Sequence, residues 1–126
     1  MTMSEWARMC QGAESIAIDE KGVMVELSNG RRHRILVRDQ GDSYEFTAVV
    51  ARPNALEKIN DISLQAWKRN RAAQLVGFRI DSRGRLVGES WVPKTGLDAD
   101  EFCLYIRRIA AECDHFEYVL TGQDRE

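Results

Sequence analysis

His33, His115, Cys10, Cys103 and Cys113 are the side chains that a metal centre or a nucleophilic reaction would draw on. Their spacing serves neither. Cys113-Asp114-His115 is the one compact donor group, yet on a helix residues 113 and 115 point about 200° apart, and the paired ligands of a zinc site are missing. Gly88-Glu89-Ser90 is not the Gly-x-Ser-x-Gly turn that exposes a nucleophilic serine. Gly77, Gly84 and Gly88 fall within or between hairpin strands, away from the strand-to-helix junction where a glycine loop cradles phosphate. Asp98, Asp100 and Glu101 form an acidic group that helix capping accounts for. The expectation is a chain with no catalytic residue, metal ligand or cofactor, and so not an enzyme.

The remaining chemistry is cationic. Arg31-Arg32-His33-Arg34 and Arg38 form one concentration, and Arg79, Arg83 and Arg85 a second around a turn. Lys68, Arg69 and Arg71 form a third. On a strand, alternation sends Arg32, Arg34 and Arg38 to one face and Arg31 and His33 to the other. Convergence of Arg32, Arg34, Arg38, Arg83 and Arg85 would make an anion- or nucleic-acid-binding surface. The aromatic residues that stack single-stranded bases are not interleaved with these arginines. A solvated strand face that discourages edge pairing is the preferred reading of them. Trp6, Trp67 and Trp91 occur in three different elements, and some of them are expected to meet in the core.

These residues belong to a chain of 126, enough for one domain spanning 1–126. It carries 18 Lys and Arg against 20 Asp and Glu, a formal charge of −2, which gives no general attraction for nucleic acid. No apolar run approaches the roughly 20 residues of a membrane span, and the first residues lack the pattern of a secretory signal. Three widely spaced cysteines are unlike a disulfide framework. Residence in the cytoplasm follows as the expectation, with the thiols as small core hydrophobes.

The elements that must position these groups are legible in the periodicity. Trp6, Met9 and Cys10 predict a first helix over 3–13, and Ile16 and Ile18 a short extended piece. Val23, Val25 and Leu27 predict a strand, Asn29-Gly30 a type I′ hairpin turn, and 31–38 the returning strand. Tyr44, Phe46, Ala48 and Val50 mark a third strand. Asn54 and Glu57 look like a capping box opening a helix that runs through residue 73, with Asp61 to Ser63 as its one weak point. Strand 75–80, the turn Asp81-Ser82-Arg83-Gly84, strand 86–92 and an amphipathic helix from Asp98 to Leu120 complete the chain. The order α-β-β-β-α-β-β-α implies an α+β fold: an antiparallel sheet of about five strands with helices mainly on one face.

With that order in place, Trp67-Lys68-Arg69-Asn70, then Phe78 through Leu86, then Gly96-Leu97, Phe102, Phe116 and Leu120 resemble the YbjN-type domain. That domain shares the fold of type III secretion chaperones of the Tir-chaperone class. The resemblance covers residues 64–120 as motif and nearly the whole domain as pattern. It implies a dimeric, cytoplasmic, non-catalytic protein that holds an extended segment of a client along apolar patches and strand edges. The expected function is therefore a protein-binding module, chaperone-like or regulatory, with a protein partner and self-association into a homodimer. Trp6, Met9, Tyr44, Phe46 and Val50 are its candidate contacts, though the core is the better place for each singly. The anion-binding surface of arginines is the alternative.

Overall fold

The structure, a computed structural model, describes residues 4–72 and 75–121. Met3, the predicted end of the middle helix at residue 73 and the tail 122–126 lie outside them. The chain runs α1 (Glu5–Cys10), β1 (Ile16–Ile18), β2 (Gly22–Glu26), β3 (Arg32–Asp39), β4 (Ser43–Ala51), α2 (Pro53–Leu56), α3 (Ile62–Ala72), β5 (Gly77–Ile80), β6 (Leu86–Pro93) and α4 (Ala99–Thr121). One fully antiparallel sheet has the order β1-β2-β3-β4-β6-β5. The sixth strand is the short piece at Ile16 and Ile18, which pairs with Val25 and Val23.

Alternation decides what the sheet buries. Val23 and Val25 of β2, Ile35 of β3 and Tyr44, Phe46, Ala48 and Val50 of β4 face inward. α4 covers them with Phe102, Ile106, Ile109, Ala110, Cys113 and Phe116. The Phe102 ring lies 5.2 Å from Tyr44 and 5.4 Å from Phe46, and Phe116 meets Phe78 at 4.7 Å. Edge-on and tilted contacts of this kind add to what burial alone contributes. α1 packs across α4 through Trp6, Ala7 and Cys10. Gly88 of β6 lies directly beneath α4, where an added Cβ would come within 2.6 Å of Cys113 Sγ.

Three local expectations are corrected. The Asn29-Gly30 turn is not type I′: among the described non-glycine residues only Ser15 and Asp61 have positive φ, so Asn29 does not. Leu27 N–H donates to Arg31 O and Gly30 N–H to Leu27 O, with Gly30 at φ 85°. That is a three-residue loop ending in a left-handed glycine, and Asn29 Oδ1 accepts the Arg31 N–H to fix it. Asp81 to Arg85 repeats the device, with Gly84 at φ 77°. Second, Asn54 is not a cap. Arg52 precedes α2 and Pro53 opens it, its fixed φ suiting the first helical position. Third, the middle helix is two helices, broken at Asp61 with φ 55°, inside the weak segment. The predicted cap of α4 is present: Glu101 N–H donates to Asp98 Oδ1 at 2.8 Å.

Candidate functional site

Four of the five apolar candidates are interior residues. Trp6, Tyr44, Phe46 and Val50 are buried and Met9 is half-buried, because the faces that carry them are those that α4 and the sheet close upon. None of the four offers a surface as the chain stands. Of the tryptophans only Trp6 joins the core; Trp91 and Trp67 are 62% and 56% exposed. Trp91 stands on the outer face of β6 in register with Glu45. Exposed Leu36 shares that sheet face. Trp67 and Leu64 stand one turn apart on α3. Leu64 and Val119 of α4 line one hollow of about 550 Å³, together with Asp61, Lys68 and Arg69.

The arginines divide as alternation requires. Arg32, Arg34 and Arg38 project from the outer face of β3, while Arg31 and His33 are buried. Arg34 pairs with Asp19 at 2.7 Å, Arg38 with Glu45 at 3.6 Å and Arg85 with Asp81 at 2.7 Å. The backbone N–H and then the guanidinium of Arg85 hold the Asp81 carboxyl below its usual range. Arg32, Arg34 and Arg85 converge on one cleft of about 770 Å³. Arg38 lines a neighbouring hollow with Arg79 and Arg85; Arg83 lines neither of these. Arg52, at the mouth of the first cleft, was not singled out from the sequence. Its signal was its place in Arg52-Pro53, where β4 must leave the sheet.

Arg31 has a different role from the rest of its run. Only 4% of its side chain is exposed, and its Nε lies 2.8 Å from Asp114 Oδ1, close but poorly aligned for a hydrogen bond. Its Nη2 reaches Glu117 at 3.4 Å. His33 Nε2 lies 3.2 Å from Val49 O. His33, Asp114 and Glu117 bring donor atoms within 4.8 Å of one another, a span one divalent ion could bridge. The guanidinium of Arg31 already fills that role as a fixed cation between the two carboxylates. The sequence signal was Asp114 and Glu117, two acids on the helix face that continues the apolar stripe. Cys10, Cys103 and Cys113 are buried, and burial pushes both the Cys10 and Cys113 thiols up to about 12. Both stay protonated at neutral pH and are poor nucleophiles.

Solved structures match this architecture along nearly its full length. YbjN from E. coli aligns with a TM-score of 0.64 at 14% identity, over 92% of this chain and 88% of that one. A chain of the ExsC–ExsE complex aligns at 0.61 and 16% identity, over 91% of this chain and 90% of the other. This is the fold of YbjN and the type III secretion chaperones. A chain of the heterodimeric ExoU–SpcU complex of the Pseudomonas aeruginosa type III secretion system extends the match, at 0.59 and 17% identity over 95% and 100%. No family model matches the sequence, and no curated protein does. In this chaperone-like fold the helices close one face of the sheet, leaving Leu36, Trp91 and the arginines of β3 on the other. Among the described residues no helix is long and apolar enough to cross a membrane.

Proposed function

We propose that the chain is a non-catalytic, cytoplasmic protein-binding module, chaperone-like or regulatory, that holds a partner segment on the outer face of its sheet and self-associates. The observation that carries this reading is the exposure of large apolar side chains around a core that is already closed. Trp91 and Leu36 stand outside the sheet, and Leu64, Trp67 and Val119 outside α3 and α4. Exposed tryptophans of this kind are the usual anchors of protein interfaces. The two surfaces suit different occupants. The α3–α4 hollow mixes Asp61 with Lys68 and Arg69 around its apolar residues, and a patch carrying both signs complements a second copy of itself across a two-fold axis. On the sheet, the cleft beside the start of β3 is dominated by one sign, with Arg32, Arg34, Arg52 and Arg85 against Glu117. Solved complexes of this fold, such as those of ExsC with ExsE and of ExoU with SpcU, hold protein partners, which supports the same reading here. The alternative, an anion or nucleic-acid binder, is supported by the convergence of Arg32, Arg34 and Arg85.

Affinity capture from the host followed by reconstitution of the binary complex tests the proposal. One dominant protein partner, retained at high salt and weakened about tenfold or more by Trp91→Ser, is the expected result. Recovery of nucleic acid that high salt removes would put the alternative first.

A further inference from the structure

We propose that the sheet forks between β3 and β4 to receive an extended acidic segment of a partner protein; the assignment rests on the protein-binding reading and names the chemistry of its partner. The β3–β4 ladder ends at Leu36 and Thr47, although β3 reaches back to Arg32 and β4 on to Ala51. Each strand keeps its other neighbour throughout. β3 pairs with β2 as far as Arg32 and Glu26, and β4 with β6 as far as Ala51 and Leu86, with an irregularity between Val49 and Ala51. The sheet thus separates into two arms, and the His33 imidazole spans the interval to Val49 O.

The cleft in this fork has an aliphatic floor, Met24, Leu36 and Val49, and a rim of Arg32, Arg34, Arg52 and Arg85. Its one carboxylate, Glu117, is engaged by Arg31. Arg34 and Arg85 have carboxylate partners. Arg32 and Arg52 have none among the described residues, and no ion pair joins Arg32 to its cross-strand neighbour Glu26. Two cations without partners beside an apolar floor, on a chain of net charge −2, select a ligand that is locally acidic and partly apolar. A peptide alternating carboxylates with aliphatic side chains meets both demands, since alternate side chains of an extended segment face opposite ways. Its carboxylates reach Arg32 and Arg52 while its aliphatic side chains lie on Leu36 and Val49. A polynucleotide meets only the first demand. No phenylalanine, tyrosine or tryptophan lines the cleft for its bases, and the His33 imidazole is buried against Val49 O.

The test uses the full chain and a short fluorescent peptide alternating glutamate and valine. Its controls are the same peptide with lysine for glutamate, one with serine for valine, and an oligodeoxynucleotide of equal charge. The glutamate–valine peptide is expected to bind most tightly, more weakly as salt rises, and about tenfold or more weakly to the Arg32→Glu, Arg52→Glu variant. Both side chains are exposed, so the variant should melt like the parent. Equal binding of the lysine peptide, tighter binding of the oligonucleotide, or indifference to the two substitutions would each overturn the proposal. A natural partner that this double variant retains and Trp91→Ser loses would overturn the fork while leaving the protein-binding reading intact. The absence of any protein partner would remove both.

Discussion

Arg31 shows how far one residue's role departs from its sequence neighbourhood. It begins a basic run, yet it is buried against Asp114 and Glu117, so removing it leaves buried carboxylates without their cation. Arg31→Met is expected to lower the unfolding free energy by about 3–5 kcal/mol, measured by denaturant titration. Arg31→Met with Asp114→Leu should recover most of that loss, because an apolar pair of similar volume needs no desolvation of charge. A single-variant loss within error of zero would mean that the ion pair does not hold α4 to β3. His33 gives a pH signature. Burial, reinforced by Arg31, holds its imidazole below the usual value, although the Val49 carbonyl and Asp114 act the other way. The unfolded chain protonates His33 near about 6.5 while the folded chain does not. Its contribution is therefore complete above about pH 6.5 and is lost as pH falls below it towards the depressed folded value. Denaturant titrations across that window should show the decline, and His33→Gln should flatten it. An equal slope in the variant would assign the decline to another group.

At the scale of elements, the periods did most of the work. Alternation in β4 and the α4 stripe identified the core face because a strand or helix with one apolar side has one way to bury it. The fault lines were less legible. The turn after Leu27 and the break at Asp61 depend on single backbone angles, and Asn-Gly is compatible with more than one loop. Gly88, placed within a hairpin strand by the sequence, proves to be a point of close approach between β6 and α4. Gly88→Ala is expected to cost about 1–3 kcal/mol by overpacking, since its Cβ would press on Cys113 Sγ, Phe78 and Val76. Thermal melts should show Gly88→Ala with Cys113→Ala recovering part of the loss. If the second substitution only adds to the first, the clash lies elsewhere.

At the scale of the molecule, the arrangement leaves apolar surface on α3 and α4 that the core does not need. If that hollow joins two copies, sedimentation should find a dimer for the parent chain and a monomer of unchanged melting temperature for Leu64→Glu, since Leu64 lines the hollow and is exposed. A parent chain monomeric at micromolar concentration would end the self-association proposal. The sequence by itself determined the element order, apart from the sixth strand and the split of the middle helix, together with the buried stripes and the absence of a recognisable catalytic motif, because periodicity and residue chemistry are local properties of the chain. It also supported the resemblance that the solved structures bear out at the level of fold. Only the tertiary structure decided which tryptophan is interior, which arginine is buried and where the sheet forks. Those outcomes depend on which faces meet across long sequence separations, as Arg31 meets Asp114, and no local pattern contains that information.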